Sequence, residues 1–471
     1  MKQFKLRMTS PQQGALFHHL YPGDGKEAVA LALCGVGFYQ HGNSVERVIS
    51  IHEIYPVPFE KCKVRTPHKV TWSCEDLPDL IQRAEKKSFV ILKIHSHPTG
   101  LKEFSELDDI SDEQLFPRIG EWLDTDFPGL SAVMLPDGQI FARAFDSNGD
   151  HLPVQSVMVV GSDILFWEHP SFIDKKVKTV ENDLNLRTLQ AFGEGTTKML
   201  SKLTIGVVGV SGTGSPVVEQ LYRLGVGKLV LVDDDVVKEH NLGRIYNSTL
   251  SDAQHRKKKV DVLGDAIEKS GLPTIVLKCP FSLNDKNVIR RLAQCDVLFG
   301  CMDSIEGRDL LNKISTFYSI PYFDIGVQLD ADGKGGINRI SGIVHYLKPG
   351  GSSLLSRGVY SSEELRDEVL KRTNPKQYEQ NVKEGYIKGI REDRPAVISV
   401  NTLMASFSVN ELLCRIHDIR LDSNEDIDCV RMSLTNNYLG YEKEDSENCP
   451  VLTRYTGRGD MEPLLNTIFY E

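Results

Sequence analysis

A chain of 471 residues, 40% of them hydrophobic, is long enough for two or three domains and has ample material for buried cores. Its 65 acidic residues against 55 basic ones give a formal charge of −10, which argues against a generic nucleic-acid binder but not against a local basic pocket. No apolar run reaches transmembrane length, Met1-Lys2-Gln3-Phe4-Lys5 lacks the apolar core of a secretory signal, and nine cysteines without disulfide-framework spacing suit a reducing compartment, so a cytoplasmic protein that avoids the membrane is expected.

Glu27 precedes an apolar, strand-like run over 28–33. A strand end, a helix and a further strand come next, over 72–90. Residues 90–94 read as a buried strand, with His95 and His97 two residues apart at its end and therefore on one face. Pro98 stops the strand pairing. Ser105 is a good N-cap, and Asp108 falls in the first turn of the helix it opens. A strand end and a helix start can thus bring two imidazoles and one carboxylate to a point. That ligand set suits a catalytic zinc with a fourth position open for water. A loop histidine pair beside an ordinary capping box is the plainer alternative.

His-x-His-Pro, six residues, Ser, two residues, Asp resembles, without a gap, the motif of the JAB/MPN (JAMM) metalloproteases. The resemblance implies an α/β zinc isopeptidase domain whose metal is held by His95, His97 and Asp108. It further implies a general-base glutamate upstream, Glu27 or else Glu53, and a hydrogen bond from Ser105 to the tetrahedral oxyanion. A plain surface charge is the competing reading of Glu27.

Residues 141–145 alternate like a final strand and 146–150 read as a turn, so a first domain is expected over 1–150. Residues 151–183 then connect the domains, with short strands expected over 157–161 and 164–167.

A second buried strand pattern covers 203–209. Gly209-Val210-Ser211-Gly212-Thr213-Gly214 continues from it, and an amphipathic helix is expected over 216–224. Strand, glycine-rich turn and helix make a phosphate cradle, because the helix start offers unpaired N–H groups and a positive dipole end. A nicotinamide dehydrogenase would share that much. The next strand, 228–232, ends in Asp233-Asp234-Asp235, where a carboxylate can accept ribose hydroxyls. Asn241 and Arg244 come after it, then Lys257, Lys258 and Lys259. A strand over 297–300 ends in Cys301-Met302-Asp303, ahead of a helix with Arg308 and Asn312. An Asp-x-Asp, an Asn-x-x-Arg and Asp303 suit a magnesium nucleotide better than a dehydrogenase cofactor. The blander readings are a solvated basic run for the lysines and a helix N-cap for Asp303.

Over 184–416 this order of parts resembles the ThiF/MoeB/HesA family, the fold of ubiquitin-activating enzymes. The resemblance implies a Rossmann-like domain that uses ATP and Mg²⁺ to adenylate the C-terminal glycine of a ubiquitin-like protein. Position by position, it implies that Gly209, Gly212 and Gly214 form the nucleotide loop, with Gly212 against the triphosphate. Asp233, within the Asp233–Asp235 pair, would hold the ribose. Asn241, Arg244 and Lys259 would contact phosphates, with Lys257 or Lys258 as alternatives to Lys259, and Asp303 would coordinate Mg²⁺. Arg187 matches the arginine that the family lends to its partner subunit, which implies a homodimer.

Four departures from that family stand out. Ser211 replaces a glycine, which is costly if φ must be positive. Ser304 stands beside Asp303 where many members carry Asn. No Cys-x-x-Cys occurs, and 349–353 read Pro-Gly-Gly-Ser-Ser where the zinc clamp belongs, so no structural zinc is expected in this domain. No cysteine lies between Cys301 and Cys414, so the domain either stops at the acyl-adenylate or takes a thioester nucleophile from later in the chain. Cys449, ahead of Pro450, is the named candidate beside Cys429, whereas Cys414 sits in an apolar helix pattern and reads as core. The polar stretch 361–390 reads as a solvated helix pair or a cover over the nucleotide site.

The expected fold is therefore α/β: a JAB/MPN domain (1–150), a connector (151–183), a doubly wound adenylation domain (184–419) and a C-terminal segment (420–471) without a readable role. The expected function joins zinc-dependent cleavage after the terminal glycine of a ubiquitin-like protein with ATP-dependent activation of that glycine. A ubiquitin-conjugating-enzyme-like protein is a further expected partner, and a bacterial system, with defence against phage, an expected setting. The rivals are a ubiquitin-like sulfur carrier as substrate, and a binding scaffold with dead sites.

Overall fold

The computed structural model describes residues 2–73, 77–172, 186–332, 334–384, 397–417, 419–444 and 447–465. The chain separates into two units, one made of 1–178, 316–319 and 454–471, the other of 179–315 and 320–453.

In the first unit the strands are β1 (Lys2–Thr9), β2 (Val29–His41), β3 (Ser44–Pro56), β4 (Cys62–Thr66), β5 (Lys69–Trp72), β6 (Val90–Ser96), β7 (Gly129–Met134), β8 (Ile140–Phe145), β9 (His151–Pro153), β10 (Ser156–Val160) and β11 (Ile164–Glu168). The helices are α1 (Ser10–Leu20), α2 (Leu77–Lys86) and α3 (Glu106–Leu123). Among the described residues nine strands form one mixed sheet, β11-β10-β1-β3-β2-β6-β7-β8-β9, and β4 pairs with β5 apart from it. Helices cover both faces, which is why the central strands are apolar on both sides. Val29, Leu31 and Leu33 of β2 pack with Ile91 and with Phe116 and Ile119 of α3. Ala30, Ala32 and Cys34 pack on the other side with Leu92, Ile94 and with Leu16 and Leu20 of α1.

The boundary expected at residue 150 needs correcting. Parallel pairing of β10 with β1, Lys5 opposite Ser156, draws much of the expected connector into the sheet. Residues 173–185, which include the rest of the connector and the expected domain start at 184, lie outside the described residues, as does the end of the polar stretch, 385–390. The last part of the C-terminal segment also belongs to the first unit. Gly457 accepts from Gly35 N at 3.1 Å, and Asp460 N donates to Val36 O at 2.9 Å.

The second unit opens with α4 (Leu186–Lys202), β12 (Thr204–Val208), α5 (Gly214–Arg223) and β13 (Lys228–Val232). It continues with α6 (Leu250–Gln254), α7 (Lys259–Ser270), β14 (Ile275–Cys279), α8 (Lys286–Ala293), β15 (Val297–Gly300), α9 (Ile305–Phe317), β16 (Tyr322–Ala331) and β17 (Ile337–Leu347). The helix pair α10 (Ser362–Thr373) and α11 (Pro375–Lys383), the helix α12 (Ile398–Ile416) and the hairpin β18 (Cys429–Ser433) and β19 (Tyr438–Glu442) complete it. The sheet order is β14-β13-β12-β15-β16-β17-β18-β19. Pairing is parallel from β14 to β16 and antiparallel beyond. Strand order therefore reverses between β12 and β15, and the loops after those two strands open a crevice there, as in doubly wound folds. Among the described residues no helix is long and apolar enough to cross a membrane.

A buried charge network ties α3 to the first unit's sheet. Asp112 of α3, fully buried, accepts from Lys93 Nζ of β6 at 2.6 Å and from Arg143 Nη2 of β8 at 2.8 Å. Burial pushes the Asp112 carboxyl upward, but Lys93 outweighs it and holds the group below the ordinary aspartate range. Asp112→Ala removes the carboxylate partner of buried Lys93 and leaves Arg143 with Asp109 alone, and is expected to lower stability by about 3–5 kcal/mol at neutral pH, read by urea denaturation. Because the folded-state pKa is depressed, the native contribution is present above the unfolded value and is lost as pH falls through the folded one. The deficit of the variant is therefore expected to shrink in acid.

Candidate functional site

Two clusters form, one in each unit. In the first, period-two alternation along β6 puts Lys93 and His95 on the side facing α3, and His97 comes just past the strand. Asp108 lies in the first turn of α3, whose N-cap is Ser105 in a reciprocal capping box. His95 Nε2 is 2.9 Å from Asp108 Oδ1, His97 Nε2 is 3.4 Å from Asp108 Oδ2, and the two ring nitrogens are 3.1 Å apart. One donor atom from each of the three residues lies within 4.8 Å of the others, close enough to share a metal ion.

The donor chemistry suits a cation. Leu101 O, 2.9 Å from His97 Nδ1, can only accept, so Nδ1 carries the proton. In the neutral ring Nε2 then turns a lone pair towards a carboxylate, acceptor against acceptor. A metal ion or a second proton resolves the conflict. Burial opposes that proton, but the hydrogen bond to Asp108 prevails and raises the His97 pKa. Burial likewise opposes ionisation of Asp108, yet the two imidazoles hold its carboxyl far below the usual range.

Glu27, 6% exposed, is not a surface charge. Burial, reinforced by Asp108 and opposed by His97, pushes its carboxyl up to about 7. Glu53 instead binds Arg83 and Tyr55; burial pushes its carboxyl up, but those partners outweigh it and hold the group low. Of the two glutamates, only Glu27 is influenced by the histidine–aspartate trio. Ser105 differs from the expectation. Its hydroxyl donates to Asp108 Oδ2 at 2.7 Å and accepts from Asp108 N at 3.2 Å, so it orients a carboxylate instead of facing an oxyanion.

In the second unit a cavity of about 700 Å³ opens at the strand-order reversal. Gly209 has φ +83°, and a Cβ there would lie 2.9 Å from Cys301 O, so the turn out of β12 needs glycine. At Gly212 a Cβ would meet Asn401 Nδ2 at 2.5 Å and Arg244 Cδ at 3.2 Å, so the bare backbone lets Arg244 approach the loop. Gly214 begins α5, and Thr213 makes no side-chain cap; Ser215 N donates to Ser211 O at 2.9 Å and Pro216 has no N–H, so within the first turn it is the Gly214 N–H that is left for a ligand. Ser211 is not in the positive-φ region, so its replacement of glycine carries no backbone strain.

Asp233 accepts from Val210 N and Asp235 N, each at 3.0 Å, and burial raises its pKa. Lys259, 5% exposed at the start of α7, donates to Asp235 Oδ2 at 2.7 Å and stands 3.6 Å from Asp233 Oδ1. The three lysines have distinct partners. Lys257 pairs with Asp265 at 2.6 Å, Lys258 donates to Asp234 O, and Lys259 lines the cavity. Asp303 and Arg244 also line it. Gly307 N, at the start of α9, donates to Ser304 Oγ at 3.3 Å, so Ser304 takes the capping role that competed with a ligand role for Asp303.

Other expected residues stand apart. Asn241, 4% exposed, accepts from Lys238 N through its side chain and from Arg244 N through its backbone, so it supports the turn that carries Arg244. Arg187 is exposed on α4, 3.1 Å from Gln190 Oε1. Cys449 is 1% exposed, with its N–H on Gly351 O at 3.0 Å, so its sulfur is not presented to a partner protein.

A Rossmann-like sheet with a glycine loop, paired aspartates and a buried lysine at its switch point defines a nucleotide-binding class of protein. The ThiF family model matches residues 183–451, more than half of the chain, and the chain belongs to that family. Adenylyltransferase and sulfurtransferase UBA4 of Meyerozyma guilliermondii is 31% identical over 132 residues, 28% of this chain and 30% of that protein. SAMP-activating enzyme E1 of Haloferax volcanii is 34% identical over 129 residues, 27% of this chain and 46% of that protein. A crystal structure of E. coli MccB with succinimide aligns at 14% identity and a TM-score of 0.44, over 59% of this chain and 75% of that one. The chain thus spans less than half the length of these two curated relatives.

Glu27 offers a test. Its folded-state pKa is raised, so its contribution is present below the unfolded value and is lost as pH rises through about 7. In metal-free protein Glu27→Gln is expected to exceed the parent in stability by on the order of 2 kcal/mol above about pH 8, and to match it below about pH 4. Urea denaturation across that range measures the difference.

Proposed function

We propose that the second unit uses ATP and Mg²⁺ to adenylate the C-terminal carboxylate of a ubiquitin-like protein. The convergence of the glycine loop, Lys259, Arg244, the Asp233–Asp235 pair and Asp303 on one cavity carries this reading. Backbone amides after β12 and the start of α5 would receive phosphate oxygens. Asp233, held by two amides, would accept ribose hydroxyls. Lys259 would leave Asp235 for the phosphates, exchanging one anion for another, and Arg244 would add a second cation. Asp303 would hold Mg²⁺, which when bound would neutralise charge as the carboxylate attacks the α-phosphorus and pyrophosphate leaves. The names of the two curated relatives, an adenylyltransferase and an activating enzyme E1, support adenylyl transfer. Arg187, exposed and outside its own cavity, would serve the site of a second copy in a homodimer.

We further propose that the first unit is a zinc peptidase or isopeptidase that cuts after the terminal glycine of the same modifier. His95, His97 and Asp108 would hold the metal, which when bound would polarise the scissile carbonyl and acidify a water. Glu27, poised near neutrality, would take a proton from that water and return it to the leaving amine. Ser105 would keep Asp108 aimed at the metal.

A sulfur carrier as the modifier is the second reading. The buried sulfur of Cys449 favours it, since a thioester needs an exposed thiol. The word sulfurtransferase in one relative's name favours it too. In that case the adenylate would pass to a sulfur donor, and a thiocarboxylate instead of a trapped thioester would mark the product.

ATP–pyrophosphate exchange with a candidate modifier tests the first proposal. Lys259→Ala is expected to slow exchange by about 10²–10³-fold and to leave cleavage intact. His95→Ala should abolish cleavage of a modifier extended past its glycine and leave exchange intact. Exchange that survives both Lys259→Ala and Asp303→Ala would sink the adenylation reading. For the homodimer, mixing inactive Arg187→Ala with inactive Lys259→Ala is expected to restore part of the exchange, because each mixed dimer contains one complete site. No recovery on mixing would remove Arg187 from the partner's chemistry.

A further inference from the structure

A second group of metal-binding side chains lies in the second unit, among residues that do not line the nucleotide cavity. Cross-strand pairing builds it. His345 on β17 is opposite Cys429 on β18, and Cys429 is opposite Glu442 on β19. The three side chains therefore form one row across the antiparallel end of the sheet, and Glu444, two residues beyond Glu442, returns to it. His345 is 3% exposed and Cys429 is 1% exposed. Cys429 Sγ lies 3.4 Å from Glu444 Oε1 and 3.9 Å from Glu442 Oε2, and His345 Nδ1 lies 3.8 Å from Glu444 Oε1. One donor atom from each of His345, Cys429 and Glu444 lies within 4.8 Å of the others.

Arginines surround the cluster, and Arg357 meets the lone pair of His345 Nδ1, a contact it has to give up as a metal binds there. Arg357 Nη1 is 3.3 Å from His345 Nδ1. A guanidinium can only donate, so Nδ1 presents a lone pair and not a proton. Arg357 keeps its place without that contact, through Ser352 Oγ at 2.9 Å, Tyr346 O at 2.9 Å and Asp428 O at 3.2 Å. Arg431 Nε holds Glu442 at 3.0 Å, closer than its 3.7 Å approach to Glu444, so Glu444 is the less committed carboxylate. Sulfur, imidazole nitrogen and one carboxylate oxygen form a donor set for a borderline-soft ion with tetrahedral habits, not for Mg²⁺ or Ca²⁺.

We propose that His345, Cys429 and Glu444 bind a structural divalent metal of the zinc type, which clips β18 and the end of β19 to β17. Water or Glu442 completes the coordination. Ligation deprotonates the Cys429 thiol, and its proton leaves to solvent as the metal–sulfur bond forms. Positions 345, 429 and 444 are too far apart for any local spacing rule. The missing Cys-x-x-Cys therefore says nothing against metal at this place.

Cobalt tests the site, because the first unit's trio contains no sulfur. The full chain, stripped of metal, is titrated with Co²⁺ and read for the thiolate-to-cobalt charge-transfer absorption. The His95→Ala/Asp108→Ala chain is expected to develop the band at one equivalent and the parent, which has both sites, by two, and Cys429→Ser to lose it. Glu444→Gln alters a partly exposed side chain and spares the core. It is expected to weaken cobalt binding at least tenfold while the far-ultraviolet circular dichroism stays unchanged. Zinc is expected to raise the melting temperature of the His95→Ala/Asp108→Ala chain but not that of the same chain carrying Cys429→Ser. The proposal is overturned if the His95→Ala/Asp108→Ala chain shows no thiolate band at stoichiometric cobalt, or if the band persists in Cys429→Ser.

Discussion

Removing a carboxylate and two cations from water costs several kcal/mol for each ion, so a buried trio such as Lys93, Asp112 and Arg143 persists only where each group finds its partners. That requirement leaves α3 one position on the sheet. Lys93 and His95 share a face of β6, and Asp108 precedes Asp112 by one helical turn. Anchoring Asp112 to Lys93 therefore brings Asp108 over His95. The capping box with Ser105 sets the remaining freedom, the rotation of the Asp108 carboxylate. The geometry of the candidate metal ligands is thus inherited from an ion pair one turn away, and Ser105 acts on that geometry first.

The same economy of charge governs the second unit. Lys259 is nearly buried, and an unpaired ammonium there would be costly. Asp235 and Asp233 hold it at the mouth of the crevice between β12 and β15. A phosphate can take the place of Asp235 without leaving any charge bare, because Asp235 is mostly exposed and returns to water. The pair thus holds the cation at the crevice mouth, where the proposed exchange of Asp235 for a phosphate would cost little desolvation on either side.

Local patterns in the sequence carry the features that depend on a few consecutive residues. The period-two placement of His95 and His97, the Ser105–Asp108 box and the strand–glycine–helix run over 203–224 are of this kind. Features set by distant pairing are silent there. The alignment of β10 with β1 joins residues some 150 positions apart. The row His345, Cys429, Glu442 exists only through two strand registers. Attachment of 454–465 to β2 rests on backbone hydrogen bonds of Gly457 and Asp460 and on the Asp460 carboxylate, which accepts from Phe38 N at 3.1 Å across 422 positions of sequence. Ambiguity among Lys257, Lys258 and Lys259 has a similar origin. Three adjacent lysines look alike until the start of α7 decides which one turns inward. For Ser211 the sequence raises a question about φ that only the backbone answers.

Within the proposed scheme the two chemistries meet at one functional group. Hydrolysis after a terminal glycine creates the free carboxylate that adenylation consumes, so cleavage of an extended precursor supplies the substrate of the ATP-dependent step. Cleavage of finished conjugates would return the same carboxylate and, with ATP present, drive a cycle that dissipates it. The two directions differ only in what lies beyond the glycine, a short extension or a folded target. Selectivity would then come from surface around the first unit's trio that senses the leaving group, because the proposed ligands His95, His97 and Asp108 and the proposed base Glu27 would act on the bond alone. Residues 59–73, whose β4–β5 pair stands outside the main sheet and whose Thr66 O accepts from Glu27 N at 2.8 Å, would be placed to sense it. They connect directly to the proposed base and lie outside the strand ladder of the main sheet, with Cys62, Val70 and Trp72 packed against its core.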